Sequence, residues 1–127
     1  MQQTGGKIRV LVADDHKIVR EGFLLNIQNE EDMEVVGEAA DGQEALELAR
    51  ELRPDVIIMD LSMPRMSGNE ATEKIMAELP QTRIIGLSMH EKAVGEAVML
   101  KAGAVAFLTK DSPSKGLIAA IRAAMKI

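Results

Sequence analysis

Short apolar runs alternate along this chain with longer stretches in which apolar positions return at helical spacing. Residues 7–13 (Lys-Ile-Arg-Val-Leu-Val-Ala) are rich in β-branched side chains and stop at Asp14-Asp15, which predicts a strand. From His16 to about Asn29, Ile18, Gly22 and Leu25 recur at helical spacing with Val19 and Phe23 beside them, an amphipathic helix. Residues 33–40 predict a second strand. Asp41-Gly42-Gln43-Glu44 has the cap-x-x-Glu spacing of a helix start, and Ala45, Leu46, Leu48, Ala49 and Leu52 continue that helix until Pro54 stops it. Residues 55–60 form an apolar run that ends in a carboxylate, the pattern of a strand buried on both faces. Ser67-Gly68-Asn69-Glu70 repeats the capping spacing and opens a helix through Ile75, Met76 and Leu79, closed by Pro80. Residues 82–88 predict a fourth strand, and residues 91–102 a helix that Gly103 ends. Residues 104–109 predict a fifth strand, and Ser112-Pro113 opens a last helix running to about Met125.

Strands that alternate with helices imply a parallel sheet covered on both faces and joined by right-handed crossovers. The expected fold is a doubly wound α/β domain. A length of 127 residues fits one such domain, here residues 7–127, with the polar, Gly-rich residues 1–6 read as a flexible leader. The composition, 46 % hydrophobic and 28 % charged, is that of an ordinary soluble protein. Absence of Cys excludes disulfides and thiolate metal sites. No apolar run is long enough to span a bilayer and no signal-peptide pattern is present, so the cytoplasm is the expected location. A net charge of −5 argues against holding a nucleic-acid backbone, and two Phe without Tyr or Trp leave few platforms for base stacking. Nine Met suggest that Met fills gaps in the core.

The chemistry lies in what ends each strand. The first ends in Asp14-Asp15, the third in Asp60, the fourth in Ser88 and the fifth in Lys110. Taken singly, each has a plain reading: the Asp pair and Ser88 as helix caps, Asp60 as a strand-ending turn residue, Lys110 as a solvated charge. In a parallel sheet, however, all these ends open on one edge, where open α/β folds bind ligands. Three carboxylates gathered there raise one another's pKa unless cations join them. Lys110 offsets one charge, and a hard divalent ion, Mg²⁺ being the natural candidate, offsets the others. Such a site is suited to receiving a phosphoryl group, with a carboxylate as nucleophile. His16 and His90 show no ligand spacing and read as surface residues.

Asp14-Asp15, then Met59-Asp60-Leu61-Ser62-Met63-Pro64-Arg65-Met66-Ser67-Gly68, then Leu87-Ser88, then Phe107-Leu108-Thr109-Lys110 resembles the bacterial response-regulator receiver domain over residues 7–125. The resemblance implies a flavodoxin-like five-stranded sheet of order 2-1-3-4-5. It implies Asp60 as phospho-acceptor from a sensor histidine kinase or a small phosphodonor. Mg²⁺ would be held by Asp15, Asp60 and the backbone carbonyl of Ser62, with Asp14 acting less directly. Lys110 would pair with the phosphoryl oxygens and the Ser88 hydroxyl would bond one of them. Phe107 takes a rotating aromatic position that is often Tyr, so a coupled Ser88–Phe107 switch is implied in packing but lacks the hydroxyl. Ser62 and His90 flank the implied line of water attack on the phosphoryl group.

Lys110-Asp111 stands where many receivers have Lys-Pro, and with Leu87-Ser88-Met89-His90 it is similar to the NarL/FixJ group, whose receivers precede a LuxR-type helix-turn-helix domain. No such DNA-binding domain lies in these residues, and the resemblance favours a receiver cut from a longer regulator over a stand-alone one. The implied function is a transcription-regulating phosphorylation switch that homodimerises when phosphorylated, and not a turnover enzyme. The changing surface would lie around the fourth helix, the fifth strand and the last helix. There Ile118, Ala119, Ile121, Ala123 and Met125 form an apolar stripe expected to face the core, with a dimer seam as the other reading. Two rivals stand beside this one. A phosphohydrolase of the haloacid-dehalogenase type uses Asp-x-Asp, but Asp60-Leu61-Ser62 puts Ser in the second place and leaves no room for a cap domain. A non-phosphorylated pseudo-receiver is disfavoured because every acidic, hydroxyl and ammonium position is present.

Overall fold

The computed structural model describes residues 6–88, 92–110 and 114–126, with only the backbone of residues 92, 93, 114 and 115. His90, Asp111, the Ser112-Pro113 helix start and most of the expected leader lie outside the described residues. Five strands alternate with five helices: β1 Ile8–Ala13, α1 Lys17–Gln28, β2 Met33–Ala39, α2 Gly42–Leu52, β3 Val56–Asp60, α3 Gly68–Glu78, β4 Arg83–Ser88, α4 Lys92–Ala102, β5 Ala106–Thr109 and α5 Ser114–Ala124. The strands form one sheet in the order β2-β1-β3-β4-β5, and every pairing is parallel. The fold is therefore the doubly wound one expected.

Side-chain alternation along the strands splits the core into two layers. Leu11 and Ala13 of β1, Ile57 and Met59 of β3 and Ile84 of β4 pack with Ala45 and Leu46 of α2, Ile75 of α3 and Met99 of α4. Their neighbours Val10, Val12, Val56, Ile58, Ile85 and Leu87 face Ile27 of α1 and Leu117, Ile118 and Ile121 of α5. Every residue of β3 is buried, because this strand is central in the sheet and covered on both faces. Met33, Met59 and Met99 are each at most 2 % exposed, so Met does fill the core.

The helix ends follow their local chemistry. Asp41 caps α2 by accepting from the Glu44 amide at 2.8 Å. The reciprocal bond of a capping box goes one residue further back, from the Ala40 amide to Glu44 Oε1 at 2.8 Å. Ser67 caps α3 in the same way, accepting from the Glu70 amide at 3.3 Å. Helix α4 ends at Gly103 (φ +122°), where the amides of Gly103 and Ala104 bond the Leu100 and Met99 carbonyls in a Schellman arrangement.

The face of α1 differs from expectation. Ile18 and Leu25 are 84 % and 63 % exposed, and Gly22 looks onto open space. Ile27 is fully buried, and Phe23 and Leu24 pack beside it against the sheet. Both faces carry apolar residues, so periodicity alone points equally to either. In α5 the buried stripe is Leu117, Ile118, Ile121 and Ala124, while Ala119, Ala123 and Met125 are exposed. The expected core-facing stripe thus holds for Ile118 and Ile121 only.

A carboxylate pocket at the carboxyl edge of the sheet

The pocket is assembled from the ends of β1, β3 and β5. Asp14 directly follows β1, its amide bonding the Ala39 carbonyl at the end of β2. It does not cap α1. Its Oδ1 accepts from the His16 amide at 2.8 Å, an Asx turn that bends the chain back over the strand end, and His16 takes the N-cap position without a side-chain cap bond. The turn is braced by Arg20, which donates from Nη1 to the Asp14 carbonyl at 2.6 Å and from Nε to Glu38 at 2.8 Å. Asp14 is fully buried, and among the described residues its Oδ2 has no hydrogen-bond partner.

Asp60 closes β3 at 2 % exposure. The Ser62 amide donates to its Oδ1 at 3.3 Å, while Ser62 itself is exposed. The loop beyond returns tightly: the Gly68 amide bonds the Leu61 carbonyl, and a Cβ on Gly68 would come within 2.0 Å of the Asp60 carbonyl oxygen. Arg65, in the left-handed region (φ +68°), ties the loop to the cap of α2 through a 2.8 Å ion pair with Asp41. The Asp41 carboxyl is held below its usual range by the Glu44 amide and also by Arg65, against a smaller cost of burial.

Lys110 follows β5, its amide bonded to the Ser88 carbonyl at the end of β4. Its side chain is 3 % exposed and its ammonium donates to Asp14 Oδ1 and Asp60 Oδ2, each at 3.0 Å, with His16 Nδ1 2.8 Å away. His16 Nδ1 also lies 3.3 Å from Asp14 Oδ1 and from Asp15 Oδ1, so the ring nitrogen sits between the ammonium and two carboxylates. Asp14, Asp15, His16 and Asp60 each bring one donor atom within 4.8 Å of the others.

Three carboxylates around one ammonium leave the pocket negative. Burial is the largest influence on Asp60 and pushes its carboxyl up to about 6; Lys110 pulls it down, and Asp14 and Asp15 push it further up. Asp14, Asp15, Asp60 and Lys110 thus meet as the strand-end pattern requires. Ser88 sits at the last β4 position, in register with Thr109 on β5. Phe107 is 4 % exposed and wedged between glycines: a Cβ on Gly86 of β4 would reach its Cδ1 at 2.8 Å, and one on Gly95 of α4 its Cζ at 2.7 Å. His16 is the residue that the sequence reading missed. Its ring is half-exposed, yet Nδ1 points into the cluster. The available signal was its place directly after two strand-end carboxylates.

A family model for the response regulator receiver domain matches residues 10–122. This chain belongs to that family. The receiver is 48 % identical over 120 residues to the transcriptional regulatory protein YxjL of Bacillus subtilis, covering 94 % of this chain and 55 % of that protein. Among solved structures it is similar to the signal receiver domain of NarL from Mycobacterium tuberculosis, with a TM-score of 0.90 and 38 % identity over 95 % of this chain and 98 % of that one. A LuxR-family response regulator from Aurantimonas sp. SI85-9A1 gives a TM-score of 0.87 at 39 % identity, over 93 % and 84 % of the two chains. The receiver spans about half the length of the curated relatives it matches. Among its described residues no helix is long and apolar enough to cross a membrane.

Proposed function

We propose that this receiver is a phosphorylation switch in which Asp60 accepts a phosphoryl group from the phosphohistidine of a sensor kinase or from a small acyl phosphate. The observation that carries the reading is a buried carboxylate ending the central strand, 3.0 Å from a buried ammonium and clustered with two further carboxylates. Transfer forms a bond between an Asp60 carboxylate oxygen and phosphorus and breaks the donor's P–N or P–O bond, the departing group taking the electron pair. Lys110 then exchanges its bond to Asp60 for one to a phosphoryl oxygen, keeping its charge inside the pocket. The Ser88 hydroxyl, at the neighbouring strand end, takes a second phosphoryl oxygen. Phe107 follows by repacking between Gly86 and Gly95, which couples the pocket to α4.

The donor set fits a hard divalent cation. It offers carboxylate oxygens in excess of positive charge, and a buried Asp14 oxygen lacks a partner among the described residues. Asp15, Asp60 and the Ser62 carbonyl would hold Mg²⁺, with Asp14 supporting them. When bound, Mg²⁺ supplies charge neutralisation to the phosphoryl oxygens. In the cell, we place the receiver in the cytoplasm, joined to a LuxR-type DNA-binding domain in a longer regulator. Phosphorylation would shift a two-state equilibrium toward a homodimer and so regulate transcription.

Intact-mass analysis after incubation with acetyl phosphate and Mg²⁺ tests the assignment. One phosphoryl increment, labile to hydroxylamine and absent from both Asp60→Asn and a chelated control, is expected. An unmodified protein under these conditions would instead mark a pseudo-receiver that works through protein contacts alone.

A further inference from the structure

We propose that Arg20, anchored on Glu38, is a positioning residue for phosphoryl transfer: it fixes the peptide between Asp14 and Asp15 and so sets how that acidic pair enters the pocket. Its effect on transfer rests on the phospho-acceptor reading, whereas its hold on the turn does not.

A planar peptide turns as one body, carbonyl and amide together. Asp14 is gripped at both of its peptides: its amide bonds the Ala39 carbonyl at 3.0 Å, and its carbonyl accepts from Arg20 Nη1 at 2.6 Å. The second grip restricts ψ of Asp14 and φ of Asp15, the angles that aim the Asp15 side chain. Asp14 is held through its carboxylate as well, which accepts from the His16 amide and from Lys110. The Asp15 side chain is 32 % exposed, so the direction of its backbone matters more to where its carboxylate points.

Arg20 reaches back to the turn because helical side chains lean toward the amino end, and its own amide bonds the His16 carbonyl at 2.8 Å in the first turn of α1. Its guanidinium is a rigid planar fork. Nε donates to Glu38 Oε1 at 2.8 Å while Nη1 donates to the Asp14 carbonyl, so the head is set from two sides. Glu38 lies opposite Val12 in the β1–β2 ladder, one residue before the Ala39 that holds the Asp14 amide. The end of β2 thereby frames the acidic pair through both peptides of one residue. Glu38 is half-exposed, and an ion pair of that kind adds little to stability. Breaking it should therefore loosen the turn more than the fold.

The test compares three variants of the whole chain: Arg20→Met keeps the stem and loses the fork, Arg20→Lys keeps the charge, and Glu38→Gln weakens the anchor. Arg50→Met, which breaks the surface pair with Glu78, controls for the loss of one positive charge. In EDTA, hydrogen exchange at the His16 amide should be about 10-fold faster in both Arg20 variants, with the buried Val12 and Ile58 amides unchanged. The Mg²⁺ concentration that half-saturates acetyl-phosphate labelling should rise about 10-fold in the same two and less in Glu38→Gln, while the rate at saturating Mg²⁺ stays within about 3-fold. Arg50→Met should match the wild type on both measures. Wild-type behaviour of Arg20→Lys, or an Arg50→Met as impaired as Arg20→Met, would overturn positioning in favour of charge alone. Exchange that quickens equally at Val12 and Ile58 would overturn it too, since that marks a general loss of stability. A wild type that takes no label at any Mg²⁺ concentration would refute the phospho-acceptor reading and the effect on transfer together, leaving the His16 exchange to decide whether Arg20 holds the turn.

Discussion

Asp60 is held in tension by its surroundings. Its carboxyl is raised from 3.8 to about 6, chiefly by burial. The folded state therefore binds this proton more tightly than the unfolded chain does. The resulting stabilisation is full below pH ~4 and is lost as pH rises through about 6. In the absence of divalent ions, the receiver should gain stability between pH 7.5 and pH 5 through this group. The Asp32 and Asp41 carboxyls, held below their usual values by Arg122 and by the Glu44 amide respectively, act only at lower pH. Asp60→Asn should flatten the profile and stabilise the cation-free protein at pH 7.5 by about 1–3 kcal/mol, read from urea melts in EDTA. Lys110 has the opposite sign. Lys110→Met removes the ammonium from two buried carboxylates and should cost about 3–5 kcal/mol at pH 7.5 in the same melts, with part regained on adding Mg²⁺. The acidic residues and Lys110 were legible in the sequence because they end strands, and strand ends of a parallel sheet share one edge. His16 was not. Its place depends on a backbone turn made by Asp14, and no spacing between histidines or other ligands announces such a turn.

At the scale of elements, α1 shows where pattern reading stops. Ile18 and Leu25 on one side and Phe23 and Ile27 on the other both satisfy helical spacing, and only docking on the sheet decides which is inside. Ile27→Ala should cost about 2–5 kcal/mol, while Ile18→Ser and Leu25→Ser should stay within about 0.5 kcal/mol; chemical denaturation of the three variants tests the assignment. The start of α3 is a stricter constraint. Alanine ordinarily favours a helix over glycine by roughly 1 kcal/mol, but a Cβ at Gly68 would lie 2.0 Å from the Asp60 carbonyl oxygen. The clash dominates. Gly68→Ala should lose about 3 kcal/mol or more and displace the end of β3, visible as amide shifts around Asp60. Helix starts at Asp41 and Ser67 were readable from their capping spacing, since a cap is local chemistry. The shifted partner of Glu44 was not, because it depends on how β2 delivers the chain to α2.

For the whole molecule, alternating strands and helices made a doubly wound sheet the natural expectation, yet alternation does not fix strand order. The order came from resemblance, and the pairings of β1 with β2 and β3 bear it out. The pocket is as non-local as this topology allows. Lys110 reaches an Asp14 that is 96 residues earlier and an Asp60 that is 50 residues earlier. That separation sets a clock during synthesis. At about 5–20 residues per second, a ribosome takes roughly 3–10 s to go from residue 60 to residue 110. Through that interval the Asp60 carboxylate exists on the nascent chain while the Lys110 ammonium that completes its pocket does not. On the proposed reading, phosphorylation at Asp60 would therefore require a chain that has been translated and folded through its fifth strand, and unfinished chains would stay outside the signalling pool.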